Sequence, residues 1–289
     1  MAAPILKWAG GKRQLLSEIT GRFPAEFERY HEPFVGGGAV YFHLEPENGS
    51  INDLNDRLVT LYEVIRDRDP EALIAENRTH EHSEEYYYDA RDEFNELHEL
   101  DEKTADERLR EASLFVYLNR TCFNGLYREN SSGEFNVPVG RYANPDWVQA
   151  DRVRALHDAL QDTTIHNEDF EYVRGVATEG DLVYFDPPYE PVSTTADFTD
   201  YHAEGFDRDD QRRLRDLAVD LDEMGVSVVL SNSPPVAELY EGVDQFTVHV
   251  VEATRAINSD ADNRGEVAEV LITNVRPERQ RRTTLSTFE

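Results

Sequence analysis

Residues 180–191 read GDLVYFDPPYEP, an apolar run that ends abruptly in an acid, two prolines and a tyrosine. The run at 181–185 predicts a buried parallel strand, because strands covered on both faces lack the usual polar alternation. The two prolines fix φ and remove two backbone donors, so the strand ends where they begin. We therefore expect Asp186 at the carboxyl edge of an α/β sheet, which is where such sheets bind ligands.

Strand and helix signals alternate on both sides of this run. Further strands are predicted at 32–35, 49–53, 163–166 and 226–231, helices at 54–68 and 208–224, and a final antiparallel strand pair at 245–251 and 267–273. This alternation favours an α/β fold with an open, mainly parallel sheet.

The middle of the chain interrupts the alternation. Residues 71–103 predict a polar helical segment with a thin apolar face. Thr104 and Glu107 form a capping-box pattern that opens a helix to about residue 119. The next stretch, TCFNGLYRENSSGEFNVPVGRY, predicts a loop and hairpin because Gly, Asn, Ser and Pro punctuate it. We therefore predict an insertion at 59–145 between two catalytic segments, 1–58 and 146–289.

Charge restricts the choice of partners. The chain carries 59 acidic and 29 basic residues, a formal net charge of −30. An evenly acidic surface with few lysines is typical of proteins from a salt-loaded cytoplasm, where the Debye length falls to about 3 Å near 1 M salt. At low salt a phosphate backbone would repel such a chain. Composition alone therefore argues against nucleic acid, unless a local basic site or high salt reverses it.

Other sequence signals exclude several classes of site. No apolar run approaches the length of a bilayer span, and the first residues lack a secretory signal, so we expect a cytoplasmic protein. The single cysteine, Cys122, excludes an internal disulfide and a cysteine-based zinc site. The nine histidines are scattered, and we expect no metal.

A glycine turn follows the first predicted strand in PFVGGGAVYF, residues 33–42. Such a turn lets a ligand approach the backbone closely, although glycine turns are common in α/β folds. Asp53 stands 15 residues after Gly38, where α/β nucleotide sites place a carboxylate for ribose hydroxyls. WAGGKRQ lacks the phosphate-loop spacing. Its Trp8 is either a buried aromatic or a wall for a flat ring, and Lys12 either a solvated cation or part of a site.

The DPPY stretch combines hydrogen-bond acceptors with a stacking surface. Asp186 and the Pro187 carbonyl can accept hydrogens, and Tyr189 offers a ring face. Such a pocket suits a planar exocyclic amine, whose lone pair is delocalised into its ring. Acceptors fixed in advance would pull the amine nitrogen towards sp3 geometry and localise that lone pair. The alternative is a plain Pro-Pro turn that closes a strand.

These motifs together resemble one family. WAGGK at the N-terminus, F-x-G-x-G with Phe34, Gly36 and Gly38, the insertion and DPPY occur in the order of the alpha group of Dam-type, D12-class DNA N6-adenine methyltransferases. The likeness covers nearly the whole chain, including the stretch PVSTTADFTDYHAEGF after DPPY. It implies a Rossmann-like S-adenosylmethionine-dependent methyltransferase fold, with an inserted, mainly helical target-recognition domain that bears a β-hairpin.

The resemblance implies S-adenosylmethionine as the methyl donor and double-stranded DNA as the substrate. The residues implied to contact the cofactor are Trp8, Lys12, Phe34, Gly36, Gly38, Asp53 and Asp186, and the catalytic set is Asp186, Pro187, Pro188 and Tyr189. The residues implied to contact DNA are Asn124, Leu126, Arg128, Pro138, Arg141 and Tyr142. Several relatives with this motif methylate GATC, which is our first expectation for the target. An arginine can bind guanine bidentately, but Arg128 and Arg141 could equally bind phosphate only.

The chain departs from the family in having few lysines for a DNA face. That face would rely on arginines: Arg120, Arg128, Arg141, Arg255 and Arg264. A monomer is expected, and a cognate restriction endonuclease is a candidate partner. Two other readings stay open: an amino-methyltransferase for cytosine N4 or RNA, and a non-catalytic homologue that binds DNA or cofactor.

Overall fold

The computed structural model describes residues 2–10, 12–190, 206–254 and 266–281. The stretch after DPPY, except its last residue, and both Arg255 and Arg264 lie outside the described residues. Among the helices that are described, none is both long and apolar enough to cross a bilayer.

The strands belong to one seven-stranded sheet. They are β1 (Tyr30–Glu32), β2 (Gly49–Asn52), β3 (Thr163–His166), β4 (Leu182–Phe185), β5 (Ser227–Asn232), β6 (Thr247–Thr254) and β7 (Glu266–Thr273). Their order in the sheet is β3-β2-β1-β4-β5-β7-β6. The pairs β1/β4 and β4/β5 are parallel, and β5/β7 and β7/β6 are antiparallel. The predicted α/β class and the antiparallel final pair are confirmed.

Helices separate most of these strands along the chain. They are α1 (Leu16–Thr20), α2 (Tyr41–Leu44), α3 (Asp56–Asp67), α4 (Pro70–Asn77), α5 (Glu84–His98), α6 (Ala105–Thr121), α7 (Ala150–Leu160), α8 (Val173–Val176) and α9 (Arg208–Glu223). Short 3-10 turns occur at Lys12–Gln14, Phe123–Gly125, Phe170–Tyr172, Pro234–Tyr240 and Pro277–Arg279.

The described residues group into two compact units. The first comprises Met1–Gly11, Val35–Glu47 and Ile51–Asn167, and the second comprises Lys12–Phe34, Asn48–Ser50 and Glu168–Glu289. In the second unit, every residue of β4 and β5 is buried. The apolar stripe of α9, with Leu214, Leu217 and Leu221, belongs to the same core as these strands. This core fixes the end of β4, from which the DPPY turn departs.

In the first unit, α6 packs against α3, α4 and α5. Almost every residue from Glu111 to Thr121 is buried, as expected for a helix enclosed by its neighbours. The predicted capping box is present: the Thr104 hydroxyl accepts from the Glu107 backbone N–H, and the Glu107 carboxylate accepts from the Thr104 N–H. The sequence therefore marks the start of this central helix correctly.

Two predicted elements differ from the structure, and one helix was not predicted. The strand expected at 32–35 is found at Tyr30–Glu32, because Pro33 has no N–H for a sheet and the chain turns at Gly36, where φ is +46°. The helical segment expected at 71–103 is two helices, α4 and α5, since Ser83 caps the second one. Helix α7 was not predicted, although its Val153, Leu156 and Leu160 form a buried stripe.

Candidate active site

Asp186 follows the last residue of β4 directly, at the carboxyl end of the strand as predicted. The Lys12 Nζ lies 2.9 Å from Asp186 Oδ1, and the Lys12 side chain is only 5% exposed. Burial raises the pKa of Asp186 to about 6, although the Lys12 ammonium acts in the opposite direction. Lys12 thus holds the Asp186 carboxyl group in place, while burial makes its ionisation less favourable than in water.

The backbone of the DPPY turn is fixed on one side. The Pro188 carbonyl accepts a hydrogen bond of 3.1 Å from Gln211 Nε2, and Gln211 Oε1 in turn accepts one of 3.0 Å from Asn232 Nδ2. The Glu190 carbonyl accepts one of 2.6 Å from Ser233 Oγ. Among the residues that the structure describes, the Pro187 carbonyl has no donor. The turn therefore keeps one rigid acceptor available beside the Asp186 carboxylate.

Two contacts orient the Tyr189 side chain, one at its hydroxyl and one on a face of its ring. Its hydroxyl donates a hydrogen bond of 2.6 Å to Glu269 Oε2 on β7. The Lys12 Nζ lies 4.6 Å from the centroid of the Tyr189 ring, a cation–π distance. Burial, helped by the charges of Asp186 and Glu269, raises the pKa of Tyr189 well above its ordinary value, so the hydroxyl stays a donor. Phe34 belongs to the same unit, where its ring stacks on Phe170 at 5.4 Å.

The glycine turn lies in the first unit. The Gly36 N–H donates a hydrogen bond of 2.9 Å to Asp53 Oδ2, and its carbonyl accepts one of 2.7 Å from the Tyr62 hydroxyl. A Cβ at Gly36 would lie 2.8 Å from the Trp8 ring, and one at Gly38 would lie 2.3 Å from Phe42. The two glycines therefore leave room for the Trp8 and Phe42 rings. They also adopt the left-handed backbone conformation that other residues disfavour.

Asp53 immediately follows β2. Its Oδ1 accepts a hydrogen bond of 3.0 Å from the Asn55 N–H, while Oδ2 accepts the one from Gly36. Burial raises the pKa of Asp53, and the backbone donors oppose that rise. The Leu54 N–H is a third backbone donor to this carboxylate. A carboxylate has about four lone-pair sites, so an acceptor site remains for a hydroxyl.

Trp8 stacks on Tyr127, with ring centroids 5.4 Å apart and an interplanar angle of 25°. Tyr127 also contacts Phe115 at 5.2 Å and Phe135 at 5.7 Å. One face of the Trp8 indole is thus covered by the stretch that leads into the hairpin, and the Trp8 side chain is half-buried.

The hairpin predicted after α6 is present as a turn with antiparallel bridges between Glu129 and Phe135 and between Cys122 and Val139. Arg128 Nε donates a hydrogen bond of 2.8 Å to Asn136 Oδ1 across this turn. That contact fixes the Arg128 guanidinium by one edge. The two terminal nitrogens of Arg128 donate to no residue in the described ranges.

The other residues expected to contact DNA lie around this hairpin. Asn124 has φ +55° and is exposed, and Arg141 and Pro138 are also exposed. Tyr142 is half-buried, and its hydroxyl accepts a hydrogen bond of 3.0 Å from Lys7 Nζ. Leu126 is half-buried as well. The structure therefore brings together, within one unit, the six positions that the resemblance implies for DNA.

The family model of the D12 class N6 adenine-specific DNA methyltransferases matches residues 8–257. The chain belongs to this family. It is a D12-class adenine-specific DNA methyltransferase, as the sequence predicts.

Curated relatives of this D12-class methyltransferase align over nearly their full length. The chain is 43% identical over 277 residues to Type II methyltransferase M1.LlaDCHI of Lactococcus lactis subsp. cremoris, covering 94% of this chain and 95% of that protein. It is 40% identical over 293 residues to Type II methyltransferase M.MjaIII of Methanocaldococcus jannaschii, covering 94% and 98%. It is 36% identical over 269 residues to the DNA adenine methylase of Escherichia coli K12, covering 92% and 93%.

Sequence reasoning about this methyltransferase missed Glu269, whose contact with Tyr189 spans 80 positions. No spacing rule can reveal a contact of that length. It also missed Phe123, a large aromatic that is 47% exposed beside Asn124. Phe123 could have been found, because a large aromatic in a predicted loop is a visible signal. Glu269 has no such local signal.

Proposed function

We propose that this methyltransferase acts on an adenine turned out of duplex DNA, with the DPPY turn as its catalytic element. An adenine amine inside a duplex is paired and stacked, so an enzyme that modifies it must extrude the base. The single observation that carries the proposal is the pair of fixed acceptors, Asp186 and the Pro187 carbonyl, beside the Tyr189 ring.

Asp186 and Pro187 would act on the adenine amine by accepting its two hydrogens. An amine conjugated to an aromatic ring is a weak nucleophile, because its lone pair is shared with the ring. Acceptors already fixed in position favour the pyramidal form of nitrogen, in which that lone pair is localised. Gln211 supports this arrangement, since it holds the neighbouring Pro188 carbonyl in place.

Tyr189 would hold the extruded base by stacking. Stacking on an aromatic side chain contributes about 1–3 kcal/mol per base, which offsets part of the cost of leaving the helix. Since Lys12 lies over the Tyr189 ring, the base would use the opposite face.

The family implies S-adenosylmethionine, whose sulfonium supplies an activated methyl group. The residues proposed to hold it are Trp8, Lys12, Phe34, Gly36, Gly38, Asp53 and Asp186. Asp53 fits this role because its carboxylate keeps an acceptor site for a ribose hydroxyl. Trp8 fits it less fully, because Tyr127 already covers one face of the indole.

We also propose that residues 59–145 form the target-recognition insertion. The helices of this region carry the hairpin, and Asn124, Leu126, Arg128, Pro138, Arg141 and Tyr142 are its proposed DNA contacts. The terminal nitrogens of Arg128, which donate to no described residue, suit a bidentate contact to guanine O6 and N7. GATC is the proposed target, read by a monomer, with or without a partner endonuclease.

The catalytic proposal is tested with Asp186→Ala and Asp186→Asn. Both variants should lose methyl transfer to unmethylated plasmid DNA by at least about a hundredfold, which is typical for removal of a group that stabilises a transition state. The exposed Asp244→Ala serves as the matched control. Full transfer by Asp186→Ala would overturn the assignment.

The identity of the methylated base and the target sequence are tested on the same treated DNA. Mass spectrometry of the digested nucleosides should find N6-methyladenine and no N4-methylcytosine. Single-molecule sequencing should then place the modified adenines in GATC. Adenine methylation in another sequence would refute the target while leaving the catalytic proposal intact.

A further inference from the structure

Glu269 makes a long-range contact with the catalytic turn. It lies on β7, whereas Tyr189 follows β4, and β5 separates these two strands in the sheet. The hydrogen bond that the Tyr189 hydroxyl donates to Glu269 Oε2 measures 2.6 Å, the usual length for a hydroxyl donating to a carboxylate.

The surroundings of Tyr189 make this bond important for its orientation. Lys12 contacts one face of the ring. Among the described residues, Glu269 provides the hydrogen bond that holds the distal end of the Tyr189 side chain.

We propose that Glu269 is a positioning residue, which orients the Tyr189 ring so that its open face can receive the extruded adenine. This inference rests on the stacking role proposed for Tyr189. In this role Glu269 acts through the tyrosine hydroxyl and needs no contact with the base or the methyl donor.

A test of Glu269 has to separate the effect of its charge on Asp186 from its effect on the orientation of Tyr189. The groups that interact with Tyr189 and Asp186 are Lys12, Glu269 and Tyr184. Removing Glu269 takes away an acceptor and also a negative charge that raises the pKa of Asp186. Glu269→Gln removes the charge but keeps an amide oxygen that can accept from the hydroxyl.

The experiment measures methyl transfer to unmethylated plasmid DNA at about pH 8, where Asp186, with a pKa of about 6, is ionised in every variant. Glu269→Ala should lower kcat by about 10- to 100-fold, the range for a lost hydrogen bond to a charged group. The KM for S-adenosylmethionine should not change. Glu269→Gln should restore kcat close to that of the wild type. The exposed Glu252→Ala on β6 is the matched control.

A double-mutant cycle decides whether Glu269 acts through the hydroxyl. Tyr189→Phe, Glu269→Ala and the double variant should show the same kcat. Multiplied losses in the double variant would overturn the inference, as would an unchanged kcat in Glu269→Ala. Thermal unfolding of each variant identifies a loss that merely follows from destabilisation, which would also count against the inference. Activity lost in Asp186→Ala but kept in Glu269→Ala would leave the catalytic proposal standing and refute only the role of Glu269.

Discussion

At the scale of single residues, Asp186 has a raised pKa although a lysine ammonium lies 2.9 Å away. Two effects compete: removal of the carboxylate from water raises the pKa, and the Lys12 charge lowers it. Burial is the larger effect. A carboxylate in this state is poorly solvated by water, so it is a stronger acceptor for the hydrogens of an amine.

The first prediction concerns the dependence of activity on pH. Methyl transfer by the wild type should fall as the pH drops below about 6, because protonated Asp186 no longer accepts freely. Lys12→Met removes the charge that lowers the Asp186 pKa, so the pKa rises further. The acid limb of the pH–rate profile, measured at saturating cofactor, should therefore move to higher pH.

The control for this prediction is the neighbouring exposed cation. Arg13→Met should leave the acid limb where it is in the wild type. A limb that moves to lower pH in Lys12→Met would contradict the proposed coupling between Lys12 and Asp186.

At the scale of elements, the hairpin is held by side chains from helices that are distant in sequence. Asn95 on α5 clamps the hairpin backbone at Phe135, accepting from its N–H at 2.8 Å and donating to its carbonyl at 3.1 Å. The buried guanidinium of Arg57 on α3 donates to the Gly133 carbonyl and lies 4.2 Å from the centre of the Phe94 ring.

The second prediction follows from the Asn95 clamp. Asn95→Ala releases both hydrogen bonds to Phe135, so the hairpin should lose its fixed position. We expect the KM for DNA to rise about tenfold, from two bonds of about 0.5–1.5 kcal/mol each. The dissociation constant of S-adenosylhomocysteine, measured by calorimetry, should not change.

Glu96→Ala, an exposed change at the next position, is the control for Asn95→Ala. An equal loss of cofactor binding would show that the clamp supports the fold of the whole unit and not the hairpin in particular.

The elements were predictable to the extent that their signals are local. The capping box at Thr104, the apolar stripe of α9 and the DPPY turn after β4 are each visible within a few residues of sequence. Helix α7 was missed because four charged residues and a histidine in its 11 positions obscure its three buried apolar ones. The partners of Tyr189 and of the hairpin were not predictable, because contacts such as Asn95 with Phe135 depend on how separate elements pack.

At the scale of the whole molecule, acids neutralise many of the arginines. Arg110 pairs with Glu76 and Glu93, and Arg213 pairs with Asp169 and Asp210. Such cations are not available for phosphates without breaking existing pairs. A chain with a net charge of −30 therefore has few positive groups to offer DNA.

The third prediction concerns the salt dependence of DNA binding. Each phosphate contact contributes about −0.9 to the slope of log affinity against log salt. With few contacts, the slope over a potassium chloride series should be shallow, no steeper than about −4. Fluorescence anisotropy with a labelled duplex measures it, and a much steeper loss of affinity would refute the prediction.

The Pro187 carbonyl, which accepts from none of the described residues, has a consequence for which bases can be modified at all. An oxygen in the place of the amine would direct its lone pairs at the lone pairs of that carbonyl and of the Asp186 carboxylate. Hypoxanthine, which differs from adenine by this replacement, should therefore be rejected by electrostatic repulsion even when it stands at the correct position in the duplex. The turn would thus act as a filter that excludes oxo bases before any methyl group is transferred.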